Sequence, residues 1–162
     1  MRPTRVTTAL TITAASALLA AGCGWSPKAP PPAGPDTCTT ADAPHPEVVT
    51  AAVRALPSGP WTVVGSGHTS NCALYWVQVS PLKHTPDSPQ QVLFFNHDAP
   101  LGSPTPNPRP YITVTNASAD SVNVQYQWQQ PSDKPGLPTG IGSVEFTVDG
   151  GKLKAGGPIP GP

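Results

Sequence analysis

Charge is what this sequence lacks most. Only 11% of its 162 residues are Asp, Glu, Lys or Arg, against about 25% in an ordinary soluble domain. Nine acidic side chains balance nine basic ones, so the formal net charge is zero. No basic stripe runs along the chain, which leaves no electrostatic footprint for nucleic acid. Aromatic residues are sparse at 6% and cysteine occurs three times. Of the four histidines, His45, His68, His84 and His97, none forms an HExxH pair and none sits in a Cys/His cluster. No metal or other cofactor is therefore implied. There is no GxSxG elbow, and no carboxylate pair has the spacing of glycosidase chemistry.

Proline is what the chain has in excess, with 24 residues beside 15 glycines. Together they make up about a quarter of the sequence, close to the composition of disordered chains. The prolines are clustered, however: before Asp36, in "PLKHTPDSP", in "APLGSPTPNPRP" and at the C-terminus. Clean strand patterns lie between the clusters. The composition thus describes a β-rich domain with proline-rich loops and tails.

The N-terminus has the layout of a secretory signal. Arg2 and Arg5 precede the uncharged run "VTTALTITAASALLAA", which ends in small residues. A retained transmembrane helix is the alternative, but the run is only about 17 residues, the short limit for a span, and threonines dilute it. "Ala20-Ala21-Gly22-Cys23" resembles a bacterial lipobox, with Ala20 where leucine is commonest. The resemblance implies a signal peptide over residues 1–22 and a diacylglyceryl group on the Cys23 thiol. Two acyl chains give stable anchoring where one is marginal. Ordinary secretion with cleavage near Ala21 or Gly22 is the competing reading.

The odd cysteine count is then explained. With Cys23 consumed by lipid, Cys38 and Cys72 form an even pair in an exported protein, where disulfides persist. Closing a loop of about 35 residues stabilises by about 3.8 kcal/mol in the chain-entropy picture. Residues 23–37 hold the lipid site and "GWSPKAPPPAGPDT", whose prolines favour extended polyproline II. At about 3.1 Å per residue a dozen such residues reach roughly 35–40 Å, the dimension of a stalk.

"HPEVVTAAVRALPSG" is the one convincing helix. Pro46 suits its first turn and Glu47 the positive end of its dipole. Val49, Val53 and Leu56 share a face, and Pro57 and Gly59 end it. Strand patterns follow in "WTVVGSG", "CALYWVQVS", "QQVLFFN", "YITVT", "SVNVQYQWQ" and "GSVEFTVDGGKL". "CALYWVQVS" and "QQVLFFN" are apolar on both alternations, the pattern of a strand covered on both faces. The expected fold class is α+β, with one N-terminal helix packed on an antiparallel sheet of about five to six strands. The domain runs over residues 38–155 and residues 156–162 read as a flexible tail.

These segments carry a resemblance. "SPQQVLFF", the "PLG" turn at Pro100, "RPYITV", "VNVQYQW" and "PTGIGSVEF" together are similar to the actinobacterial LppP/LprE-type lipoproteins, over nearly all of residues 38–160. The resemblance implies a lipid-anchored protein on the extracytoplasmic side of the cell membrane. It brings no activity with it.

Chemistry is thinly signposted. In "FFNHDAP", Asn96, His97 and Asp98 follow a strand, and His97 is a candidate general base, but successive strand residues point to opposite faces. A polar turn accounts for them equally. "SGHTSNC", with His68, reads the same way. Gln125, Gln127 and Gln129 alternate along one strand and would form an uncharged amide row. Such a row can take a sugar, a peptide or a partner's edge strand; an ordinary solvent face is the plainer alternative. The aromatics Trp76, Phe94, Phe95, Tyr126 and Trp128 read as core. The function expected is thus a non-catalytic binding or structural module in the cell envelope, for a protein, a glycan or a lipid. Its candidate face is Gln125, Gln127, Gln129, Asn96 and His97. The alternatives are a hydrolase centred on a histidine and a lipid carrier with an apolar cavity between helix and sheet.

Overall fold

A computed structural model describes residues 37–161. Residues 1–36, with the signal segment, Cys23 and nearly all of the stalk, lie outside the described residues.

The first element is α1 (Pro46–Arg54), entered through Pro46, with Glu47 in its first turn and Arg54 in its last. Eight strands follow: β1 (Trp61–His68), β2 (Tyr75–Pro81), β3 (Gln91–Asn96), β4 (Ala99–Gly102), β5 (Ile112–Ala117), β6 (Ser121–Trp128), β7 (Gly140–Asp149) and β8 (Lys152–Ala155). They form two antiparallel meanders, β1-β2-β3-β4 and β5-β6-β7-β8.

This corrects the expectation of an α+β fold with a single sheet of five to six strands. The described chain is mostly β, with two four-stranded sheets and one nine-residue helix. The reason is coverage. Tyr75, Val77, Val79, Leu93 and Phe95 of the first sheet pack under α1, through Val48, Val49, Ala52, Val53 and Leu56. The other face of the same strands, carrying Leu74, Val92 and Phe94, needs a second cover that a nine-residue helix cannot supply. The second sheet provides it with Ile112, Val122, Val124, Tyr126, Val144 and Phe146. Phe94 and Phe146 meet across the layers with ring centroids 5.2 Å apart. The outer face of the second sheet is left to water.

The split between the sheets falls where proline removes backbone donors. Pro104, Pro106, Pro108 and Pro110 occupy alternate positions between β4 and β5, so this segment cannot extend a ladder. Glutamines hold it instead. Buried Gln91 donates from Nε2 to the Thr105 carbonyl at 2.8 Å and accepts from Thr105 Oγ1 at 3.2 Å. Gln90 and Arg109 exchange backbone hydrogen bonds at 2.9 Å in each direction. Gln78 Nε2 donates to the Ile112 carbonyl at 2.9 Å, linking the sheets.

Residues 156–161, expected as tail, return over the second sheet. Gly156 N–H donates to the Glu145 carbonyl at 2.8 Å, Ile159 packs on the central core, and the Pro160 carbonyl accepts from Arg109 at 3.2 Å.

Cys38 and Cys72 are joined, with a sequence separation of 34. Cys72 sits at φ +60° in the β1–β2 connection. The Cys38→Ala/Cys72→Ala protein is expected to unfold at lower urea, with a stability loss of about 3–4 kcal/mol for a loop of this length. A loss under about 1 kcal/mol would place the bridge's value elsewhere than in chain entropy.

Candidate functional site

The outer face of the second sheet is built by strict alternation. Val124 and Tyr126 point into the sandwich and are buried, so Asn123, Gln125 and Gln127 point away. Register sets their neighbours. Thr113, Gln125 and Ser143 stand in one cross-strand row; Gln127 lies opposite Ile141 and Asn123 opposite Glu145. Ile141 is 58% exposed. Ser121 Oγ–H donates to Glu145 Oε1 at 2.5 Å, placing that carboxylate at one end of the face.

The sequence places three glutamines in one row. Gln125 and Gln127 are on β6, but Gln129 lies beyond its end, where Nε2 donates to the Lys134 carbonyl at 3.0 Å. The segment between β6 and β7 is organised by one carboxylate. Asp133 accepts from Gln130 N–H at 2.7 Å, Thr139 N–H at 2.8 Å and Thr139 Oγ1–H at 2.7 Å. These donors hold its pKa below the usual carboxylate value, the Gln130 backbone bond foremost.

At this end of the sheet lies a cleft of about 420 Å³, whose lining includes Asp87, Arg109, Tyr111, Gln127, Trp128 and Gln129. Two features were invisible in the sequence. Tyr111 has φ +58°, a left-handed conformation rare for a bulky side chain. Trp128 lies against Gly140, where an added Cβ would come within 2.4 Å of the indole. The Arg109 guanidinium sits 5.7 Å from the Tyr126 ring centroid, while burial pushes the Tyr126 hydroxyl up to about 12.

Asn96 and His97 are not part of this face. They end β3 in the other sheet and make local ties. Asn96 Nδ2–H donates to the Ala73 carbonyl at 2.6 Å, and His97 Nδ1 bonds the Asp42 carbonyl at 2.9 Å. Asp98 turns elsewhere. It accepts from the His45 backbone N–H at 2.8 Å and from its ring Nδ1 at 2.6 Å, tying the start of α1 to the β3–β4 turn. His97 and Asp98 lie in the turn between β3 and β4 rather than on the strand, and their hydrogen bonds go to different partners. His68 Nδ1 bonds the Thr69 carbonyl at 3.1 Å, with its ring 5.1 Å from Tyr75. Among the described residues no group of three or more His, Cys, Asp or Glu could hold a metal ion.

A second concavity, of about 500 Å³, lies beside α1, between Pro46, Val49 and Thr50 on one side and Val63, His68 and Tyr75 on the other. It is apolar, and Val63 is half exposed. No residue of α1 is fully buried, consistent with a helix that covers its sheet incompletely.

Comparison with known proteins gives this architecture a family. The profile of the LppP/LprE lipoproteins matches residues 66–151. Curated relatives from Mycobacterium tuberculosis and Mycobacterium bovis, each carrying the name lipoprotein LppP, are 45% identical over 146 residues, 87% of this chain and 83% of theirs. The chain belongs to the LppP/LprE lipoprotein family. No solved structure matches it. The LppP/LprE match runs from the end of β1 through β7 and the cleft, and excludes α1, most of β1, β8 and residues 156–161. Among the described residues no helix is long and apolar enough to cross a membrane.

The His45–Asp98 contact has a pH signature. The hydrogen bond to Asp98 raises the His45 pKa above 6.5; the His45 backbone N–H, and then its ring, lower that of Asp98. Because the histidine's folded value is raised, its contribution is complete below pH 6.5 and is lost as pH rises through the folded value. The Asp98 contribution holds above pH 3.8 and is lost as pH falls through its depressed value. Both groups are exposed, so the effect is small. In a series of melting curves, the stability gap between wild type and Asp98→Asn is expected to narrow as pH rises above 6.5. A gap that widens there would contradict the assignment.

Proposed function

We propose that this lipoprotein is an exported cell-envelope protein, held on the extracytoplasmic side of the membrane by a diacylglyceryl group on Cys23. Its domain is a non-catalytic binding module that engages a partner through the outer face of β5–β8. One observation carries the reading. Among the described residues, β2 and β3 of the first sheet are buried on both faces, whereas the outer face of β5–β8 has no layer over it, which leaves a broad sheet face for recognition. That face offers amides and hydroxyls with little charge, suited to neutral, hydrogen-bonding partners. The separate hydrogen-bond partners of His97 and Asp98 count against a dyad between these two residues.

The groove beside α1 favours a second reading, a lipid carrier. It lies where helix meets sheet, as a carrier requires, but it is a surface groove beside a half-exposed valine, and the two core clusters beneath it are filled. An acyl chain there would remain partly in water, so this reading is the weaker one.

Two measurements test the proposal. The Cys23→Ala protein is expected to leave the membrane fraction; if it is processed and retained like wild type, the anchor is not on Cys23. A photoreactive residue at Gln125 is expected to capture an envelope component in intact cells, while the same residue at Leu82, exposed on a loop of the other sheet, captures far less. Equal capture at both positions would argue against the β5–β8 face as the recognition surface.

A further inference from the structure

We propose that the cleft at the Tyr111 end of this face is a glycan subsite that takes a short neutral oligosaccharide. The inference deepens the binding-module reading and rests on it.

The chemistry of the lining points to this class of ligand. A sugar ring presents an apolar face of C–H groups and a rim of hydroxyls that both donate and accept. The cleft offers matching surfaces. Tyr111 and Trp128 are half-buried aromatic residues, the Trp128 indole lying close to Gly140 and Gly161, and the Gln127 and Gln129 amides each combine an accepting oxygen with an NH₂ donor. Charge selects further. The lining carries one carboxylate, Asp87, and one guanidinium, Arg109. The guanidinium is already engaged by the Pro160 carbonyl and lies over the Tyr126 ring. The cleft therefore has no excess charge to hold a phosphate or an acidic peptide. Its volume, about 420 Å³, falls within the range of small-ligand sites.

The cleft is also fixed before any ligand arrives. Asp133 gathers three donors and sets the course of the segment carrying Pro135 and Gly136. Gln129 is held by the Lys134 carbonyl. Gly140 leaves room for the Trp128 ring to lie flat against the sheet. Prior ordering of this kind lowers the entropic cost of binding. Tyr111 adds an independent sign. Its left-handed backbone is a conformation that glycine adopts freely and tyrosine does not. Local strain of this kind collects at binding sites.

The test is a titration of the mature lipid-anchored protein, in detergent micelles, with cellotetraose, tetra-N-acetylchitotetraose and an arabinose tetrasaccharide. Amide and indole NMR signals report the contact. At least one sugar is expected to shift the Gln127 and Gln129 side-chain amides and the Trp128 indole, saturating by about 10 mM, an order above a Kd of about 1 mM. The Tyr111→Gly variant removes the ring while relieving the backbone. It is expected to hold its melting temperature and to weaken binding about ten-fold, the size of a lost aromatic contact. Gln127→Ala, on the solvent face, is expected to weaken binding several-fold.

Silence with all three sugars, shifts confined to the α1 groove, or unchanged affinity in folded Tyr111→Gly would each overturn the glycan subsite. Capture of a protein at Gln125 combined with a silent titration would remove the glycan and leave the binding module standing.

Discussion

The fold depends on one constraint: the middle sheet is apolar on both sides. Strands β2 and β3, with Leu74 just before β2, carry Leu74, Val92 and Phe94 toward one layer and Tyr75, Val77, Val79, Leu93 and Phe95 toward the other, all buried. Burying a large apolar side chain contributes about 1.5–3 kcal/mol, so neither face can be left wet. The chain spends α1 on one face and four further strands on the other. The order of layers follows, as does the position of the outer face of β5–β8.

The parts of this arrangement that were legible are those written as side-chain periodicity. α1 announced itself through Pro46, Glu47 and the Val49–Val53–Leu56 face. The strict alternation of Val122, Val124 and Tyr126 with Asn123, Gln125 and Gln127 gave β6 and its outward amides. The two-sided character of β2 and β3 was equally plain, and its full consequence was the second sheet. Division into two sheets was hidden because it is a property of hydrogen-bond partners, which periodicity does not encode. Two strands were hidden as well. In β4, Pro100 and Gly102 read as a turn; in β8, Lys152 and Lys154 flank a single leucine. Both are four-residue edge strands. Short, charged or proline-bearing edges are how sheets avoid pairing with other chains, and the same traits erase the strand signal.

The candidate site was half legible for a related reason. Alternation located Gln125 and Gln127. It could not reveal that Gln129 leaves the strand, that Tyr111 turns left-handed, or that Asp133 assembles a wall from residues on both sides of it. Nor could it separate Asn96 and His97 from the glutamines, since which sheet a residue joins depends on the proline crossover. That crossover is stabilised by the side-chain amides of Gln78 and Gln91 and by the Gln90–Arg109 backbone pair, where ladder hydrogen bonds are lost to proline. In a chain with so few charges, amides fulfil structural roles inside the protein and remain available for recognition outside it.

The position of the Cys38–Cys72 bridge has a mechanical meaning. Cys38 precedes α1 in the chain, and α1 is the least secure layer, with none of its residues fully buried. A tension applied from the N-terminal side would, in an uncrosslinked chain, peel the helix from its sheet first. The covalent link carries that load past the helix and into the β1–β2 connection, at the end of the most deeply covered strands. A domain tethered at its N-terminus can thus be pulled without losing the layer that seals half of its core.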